Sequence, residues 1–325
     1  MTERVSEMKM CSVRWAFRCA SWTPSRAEWL FAARCIQKEE KERIGQFVFA
    51  KDAKSAMVGR LLIRKFVCEK MGMPWSEIRL ERSHRGKPYL AAPSKNSSDS
   101  GAAWSFNISH QGDYAVLAAN QGFQVGVDIM KNTLPGSNSV PEFFRIMTRQ
   151  FTAHEWSVIQ SSGSEYQQLA AFYRHWALKE SFIKAIGTGL NFDLQRVEFH
   201  LTSEPLTSGQ VLHQTKMHLD DEEEDWIFEC VSVSQESLLD PDHHVAVALG
   251  PADKPGVTVL HCRIRRGVWR GVKGHFGPIN CETFHPDSQR RSCEPLRSSK
   301  NYSTLCSSSF SLRRAPRTAM KARVS

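Results

Sequence analysis

Twice along this 325-residue chain, a helical segment of about twenty residues leads into a set of short apolar strands. The first runs from about Lys51 to Lys70. Ala53, Met57, Leu61 and the run Ile63 to Val67 supply its apolar side, and Gly72 and Pro74 close it. The second runs from near Tyr166 to Ile186 with no Gly or Pro inside, and Gly187-Thr188-Gly189 ends it. A helix with a long apolar side must bury it, and the strands that follow offer the surface. The layout predicts an α+β fold of two similar lobes, each a long helix packed on a small, mostly antiparallel sheet, with the active site in the cleft between them. Residue identity between the halves is weak, so layout alone suggests a duplication.

The shorter elements fill in the same plan. Val13 to Cys19 alternates apolar and polar, as a half-buried strand does. Thr23-Pro24 reads as the cap and first residue of a helix reaching about Ile36, and Lys38 to Arg43 as a charged connecting segment. Ile78 to Arg82 is extended, residues 85–88 turn, and Tyr89-Leu90 continues; residues 93–101 form a polar loop. Trp104 to Ile108, Tyr114 to Ala119 and Val125 to Ile129 are strands, the last two apolar enough for the centre of a sheet. Helices are expected around Pro141 to Met147 and from near Thr152, and strands at 194–201, 211–219, 226–233 and 245–249. The expected organisation is a flexible start at 1–11, an N-terminal lobe at 12–106, a C-terminal lobe at 107–249 and a tail at 250–325.

Charge separates the tail from the rest. The chain carries a net charge of +9, yet residues 250–325 hold 15 Lys and Arg against 4 Asp and Glu, a net of +11. Residues 1–249 hold 28 against 30, a net of −2. The tail lacks any period of 2 or 3.6, which predicts disorder. Its Arg263-x-Arg265-Arg266-x-x-Trp269-Arg270 interleaves basic and aromatic residues as single-strand nucleic-acid binders do, but basic tails of this kind are mostly solvated, and no specific nucleic-acid partner is expected. The nine cysteines are widely spaced without a C-x-x-C, and no second pair joins His261-Cys262 or His243-His244 at zinc spacing. Met1 to Met10 has no apolar signal core and no run suits a membrane span, so with these free cysteines a reducing cytosol is the expected setting; the expected state is a monomer.

Three polar clusters carry chemistry. Val125-Gly126-Val127-Asp128-Ile129 is a buried-type strand that delivers one carboxylate near its end. Trp176, Glu180 and Lys184 lie at i, i+4 and i+8 on one face of the second long helix. Asn107-Ile108-Ser109-His110-Gln111-Gly112-Asp113 is a dense polar turn between strands. Taken singly, each has an ordinary reading: a turn cap, a surface ion pair and a hairpin. Together, two carboxylates on rigid elements can hold one Mg²⁺, whose remaining positions go to waters and substrate phosphates. Lys184 would sit beside such a phosphate, and Arg43, Arg82, Arg85, Lys87 and His110 would add donors for others. A different Mg²⁺-dependent phosphate-ester enzyme, such as a nucleotide hydrolase, is the alternative reading of these clusters.

With W-x-x-K-E-S-x-x-K at 176–184, G-V-D at 126–128 and N-x-S-H at 107–110, the chain resembles the 4′-phosphopantetheinyl transferases of the larger, pseudo-dimeric, surfactin-synthetase-activating type. Agreement with the animal members extends over R-I-G-Q-F-V-F-A at 43–50, R-G-K-P at 85–88, N-I-S-H-Q-G-D-Y-A-V at 107–116 and F-Y-R-H-W-A-L-K-E-S-F-I-K-A-I-G at 172–187. The resemblance spans about residues 12–249. It implies Mg²⁺-dependent transfer of 4′-phosphopantetheine from coenzyme A to a carrier-protein serine, with release of adenosine 3′,5′-bisphosphate. It further implies service to carrier domains of the fatty-acid-synthase and aminoadipate-semialdehyde dehydrogenase type.

By position, the resemblance makes Asp128 and Glu180 metal ligands, with Gln111 or a water third, because Met130 stands where bacterial members have a third carboxylate. Arg43, Arg82, Ser83, His84, Arg85, Gly86, Lys87, Asn107, Ile108, Ser109, His110, Asp128, Glu180 and Lys184 would contact coenzyme A. Glu180 would be the base and Lys184 would stabilise pyrophosphate charge. Phe143, Phe144 and Met147, with Arg145 and Arg149, are the expected carrier-docking patch.

Overall fold

The computed structural model describes residues 11–91, 103–136, 138–189, 192–201, 211–212, 215–232, 242–251 and 270–271, all within one unit, residues 1–276. The first lobe opens with β1 (Ser12–Arg18), α1 (Arg26–Arg34), α2 (Lys38–Gly45) and the long α3 (Ala50–Met71). A hairpin of β2 (Leu80–Arg82) and β3 (Pro88–Leu90) follows, then β4 (Trp104–Gln111) and β5 (Tyr114–Gln121). The second lobe opens with β6 (Phe123–Lys131), α4 (Val140–Ile146), α5 (Ala153–Gln160) and the long α6 (Glu165–Ile186). It continues through β7 (Val197–His200), β8 (Val211–Leu212), β9 (Lys216–Leu219), β10 (Glu222–Glu223), β11 (Ile227–Ser232) and β12 (His243–Pro251). A two-residue β13 (Arg270–Gly271) pairs in parallel with β1.

Two four-stranded sheets result, in the orders β13-β1-β5-β4 and β6-β12-β11-β8. In each lobe the opening strand pairs antiparallel with the last long one: Trp15 opposite Leu117, and Val127 opposite Val247. The lobes thus share one plan. Strand alternation then sorts the core into layers. Ala115, Leu117 and Ala119 of β5 pack under α3 with Val58, Leu62, Phe66 and Val67. Tyr114, Val116 and Ala118, on the opposite face, meet Val125, Val127, Val245 and Val247 of the second sheet. Ala246 and Ala248 face α6 through Leu178, Phe182 and Ala185. Full burial of side chains such as Phe66 and Leu62 stabilises by about 1.5–3 kcal/mol each. A buried ion pair ties the lobes together: Arg14 Nε to Glu229 Oε2 at 2.8 Å and Arg14 Nη2 to Glu229 Oε1 at 3.1 Å.

Several expectations shift. Ser25, not Thr23, caps α1, because Ser25 and Glu28 form a reciprocal capping box. Residues 38–45 are helical, with Ile44 and Glu40 buried against the rest of the lobe. β6 is an edge strand by backbone pairing; its apolar run reports two buried faces, not two paired edges. The expected boundary at 106/107 cuts through β4, and pairing places both β4 and β5 with β1, so the sheets divide at Gly122. β12 also runs past 249, with Gly250 opposite Gln124 and Pro251 opposite Phe123. Apart from Gly250, Pro251, Arg270 and Gly271, the tail lies outside the described residues, as does the whole 93–101 loop.

Candidate active site

The close approach of α6 to β6 depends on Gly126. A Cβ there would lie 1.9 Å from the Ser181 carbonyl oxygen and 2.5 Å from the Ala185 nitrogen. The buried, small Ala177, Ser181 and Ala185 form the facing stripe on the helix. This contact sets Asp128, two residues along β6, beside the helix face that carries Glu180 and Lys184. Lys184 Nζ donates to Asp128 Oδ1 at 2.7 Å and to Ser109 Oγ at 2.9 Å, and the Ser109 hydroxyl donates to Asp128 Oδ1 at 2.8 Å. Strand β4 of one lobe, β6 of the other and α6 therefore meet at a single carboxylate.

Asp128 is 4% exposed, and its Oδ2 is buried with no hydrogen-bond partner. Burial, and then the Asp128 charge, push the Glu180 carboxyl up to about 7, against the pull of Lys184. Two carboxylates that repel each other, one with an unsatisfied buried oxygen, are hard-oxygen donors suited to a divalent cation. Among the described residues no group of three His, Cys, Asp or Glu side chains converges to hold a metal.

Why β4 stays against the edge of β6 was not legible in the sequence. Ser105 Oγ accepts the Val125 N–H at 3.2 Å, Asn107 Oδ1 accepts the Val127 N–H at 3.2 Å, and Gln111 Oε1 accepts the Lys131 N–H at 2.5 Å. Alternate β4 side chains thus satisfy the open edge of β6, and at the intervening position Ser109 reaches the Asp128 carboxylate instead. Asn107 and Gln111 act here as backbone caps. Ile108 points the other way, packing against the core under α3.

A second group of charges lies beside His110. Glu40, only 7% exposed, receives Arg82 Nε at 3.0 Å, Arg82 Nη2 at 3.2 Å, Arg43 Nε at 3.1 Å and Arg60 Nη1 at 3.5 Å. Burial would raise the Glu40 carboxyl, but Arg60 and then Arg82 and Arg43 outweigh it and hold it below the usual carboxylate range. Burial, reinforced by Lys184, Arg60 and Arg43, pulls His110 down to about 4, so His110 is neutral at pH 7. The sequence singled out Arg43 and Arg82 as expected phosphate donors; in the structure both donate to Glu40. Arg60 was hidden inside the apolar run of α3 and Glu40 inside a charge run; the one available signal was an arginine between Met57 and Leu61 on a core-facing helix.

The 82–87 turn has a different set of contacts. Lys87 Nζ donates to the carbonyl oxygens of Lys184 at 3.0 Å and Ala185 at 3.2 Å, and Arg85 Nη1 to that of Gly187 at 2.9 Å. These cations satisfy open carbonyls at the C-terminus of α6, where the helix dipole favours positive charge. Burial lowers the Lys87 amine. Ser83 and Gly86 close the turn through the Gly86 N–H to Ser83 oxygen bond at 2.8 Å, while His84 is exposed. Within 176–184, Lys179 is structural: fully buried, it pairs with Glu155 Oε2 at 2.7 Å and donates to the Leu194 and Val197 carbonyls. Phe143 and Phe144 are buried in the aromatic cluster with Phe172 and Phe151, so they are not available to a docking partner; Arg145, Ile146 and Arg149 are exposed.

Comparison with known proteins settles the family. Residues 20–122 match the family model described as 4′-phosphopantetheinyl transferase, N-terminal, and residues 124–248 that of the 4′-phosphopantetheinyl transferase superfamily. The chain belongs to this superfamily. It is 60% identical over 245 residues to the human L-aminoadipate-semialdehyde dehydrogenase-phosphopantetheinyl transferase, covering 75% of this chain and 76% of that one. The Xenopus laevis protein of the same name is 56% identical over 253 residues, 77% and 81% of the two chains. A 4′-phosphopantetheinyl transferase of Bacillus pumilus is 29% identical over 229 residues, 70% and 84%. As a phosphopantetheinyl transferase, the protein is an enzyme that uses coenzyme A as substrate and carries its phosphopantetheine to the serine of a carrier protein. A nucleic-acid-binding role through the tail is not favoured. No helix among the described residues is long and apolar enough to cross a membrane.

Proposed function

We propose that Asp128, Glu180, Lys184 and the group of Arg43, Arg82 and His110 divide the transfer reaction among them, and that the transferase serves carrier domains of the fatty-acid-synthase and aminoadipate-semialdehyde dehydrogenase type from a cytosolic, monomeric state. The observation that carries the division of labour is the buried, unpartnered Asp128 Oδ2 beside a Glu180 carboxyl raised to about 7. Asp128 and Glu180 would hold Mg²⁺, with the Gln111 amide oxygen as the third protein donor. When bound, Mg²⁺ would supply charge neutralisation at the pyrophosphate and a template for in-line attack.

The chain's own residues do the rest. Lys184, held at the Asp128–Ser109 pair, is placed to stabilise negative charge on the coenzyme A pyrophosphate as its P–O bond breaks. The carrier serine oxygen forms the new bond to the β-phosphorus, and adenosine 3′,5′-bisphosphate leaves with the bridging oxygen. The serine proton passes to Glu180, directly or through a water beside it. Arg43, Arg82, His110 and the Ser109 region hold the 3′-phosphate, and the turn from Ser83 through His84, Arg85 and Gly86 to Lys87, with the main chain at Asn107 and Ile108, frames the nucleotide. Arg145, Ile146 and Arg149 offer the exposed basic and apolar surface nearest the expected docking patch.

The test is phosphopantetheine loading of an apo carrier domain followed by mass spectrometry across a Mg²⁺ titration. Loading that saturates with Mg²⁺ and disappears with chelator is expected; loading unaffected by chelator overturns the metal assignment.

A further inference from the structure

Glu40 and Arg60 belong to no motif, yet the charges around them form a defined arrangement. Both Glu40 oxygens are engaged: Oε1 by Arg82 Nε and Arg60 Nη1, Oε2 by Arg43 Nε and Arg82 Nη2. Three guanidiniums around one carboxylate leave a local charge of +2. Glu40 takes only the Nε of Arg43, so it leaves both terminal nitrogens of that fork to other acceptors. Arg82 is fixed from its far side by Nη1 to the Gly86 carbonyl at 3.0 Å. Arg60 is 5% exposed, and its Nε is buried without a hydrogen-bond partner. A buried guanidinium with an unused N–H is costly unless an acceptor arrives.

The α3 backbone at Gly59, next to Arg60, sits on Ile108, two residues before His110: a Cβ on Gly59 would be 3.2 Å from Ile108 Cδ1. Arg60 and Arg43 both act electrostatically on His110, as does Lys184. The cluster and Lys184, the partner of Asp128, thus act on one imidazole through separate atoms. Coenzyme A presents two kinds of phosphate, a pyrophosphate diester and a phosphate monoester that approaches a dianion at pH 7. A rigid +2 group matches the monoester.

We infer that Glu40 is a positioning residue that holds Arg43, Arg60 and Arg82 in one fixed fork, and that Arg60 is a specificity residue reading the 3′-phosphate of coenzyme A. This rests on the proposed function above. With Glu40 in place, the forks stay aligned while the site is empty, so phosphate binding loses little side-chain entropy. Without it, three like charges repel and spread.

The experiment measures kcat/KM of the full chain with coenzyme A and with dephospho-coenzyme A, and affinities for adenosine 3′,5′-bisphosphate and adenosine 5′-phosphate. The wild type should prefer the 3′-phosphorylated member of each pair. Glu40→Gln and Arg60→Met should reduce both preferences about tenfold, the scale of one charge-assisted hydrogen bond, and Glu40→Asp should restore part of the loss. If Glu40→Gln fails to fold, Arg60→Lys keeps the charge, removes the fork and should still lower the preference. A merely structural role would reduce both donors alike, and an unchanged or increased preference overturns the inference. Failure of the wild type to use coenzyme A at all would instead sink the proposed function.

Discussion

Replacing Gly126 with alanine tests how the two carboxylates come together. The new Cβ would meet the Ser181 oxygen at 1.9 Å and the Ala185 nitrogen at 2.5 Å, both backbone atoms of α6 that no rotamer change can move. Reaching the 3.4 Å of an ordinary contact requires α6 and β6 to part by about 1.5 Å along that line. Such a shift breaks the 2.7 Å contact of Lys184 with Asp128 and carries Glu180 away with it. Overpacking of this kind costs about 1–3 kcal/mol or more, and a misplacement of 1 Å at the chemistry costs about 100-fold in rate. Gly126→Ala should therefore lower the urea midpoint moderately and lower kcat for carrier loading at least about 100-fold. Gly45→Ala, where a Cβ meets nothing within 4 Å, should leave both unchanged. Near-wild-type turnover by Gly126→Ala would refute the reasoning, because it would mean that the helix–strand contact does not set the site.

Two further outcomes are expected. In chelator, stability should fall as pH rises from about 4.5 to about 7, because the folded state keeps the Glu180 proton that the unfolded chain has already lost. The loss is on the order of 3 kcal/mol, and Glu180→Gln should flatten it in urea titrations; an identical slope in the variant would contradict the assignment. Arg14→Met should cost about 3–5 kcal/mol by stranding buried Glu229, whereas Arg14→Met with Glu229→Leu should recover most of it. Equal losses for the single and double variants, read from denaturant midpoints, would show that the pair is not what couples the lobes.

What the sequence disclosed follows a physical pattern. Asp128, Glu180 and Lys184 were readable because their spacing on one strand and one helix already fixes where they point. The two-lobe plan was readable because each long helix needs a sheet to cover its apolar side. Glu40 was not, since a carboxylate in K-E-E-K-E-R looks solvated until Arg60 and Arg82 arrive from 20 and 42 residues away. The caps that β4 places on β6 were equally hidden, because the sequence does not say that an apolar strand will be left with an open edge. Lys87 and Arg85 show a third limit: their charge says nothing of the carbonyl end of α6 that they hold, a partner set only by tertiary packing.

The most direct measurement follows an apo carrier domain by mass spectrometry with coenzyme A, Mg²⁺ and either the full chain or its Glu180→Gln variant. The wild type should add one phosphopantetheine per carrier and release one adenosine 3′,5′-bisphosphate, and the variant should add none while melting at least as high as the wild type. An unmodified carrier with the wild type, or full loading by the variant, would contradict the account.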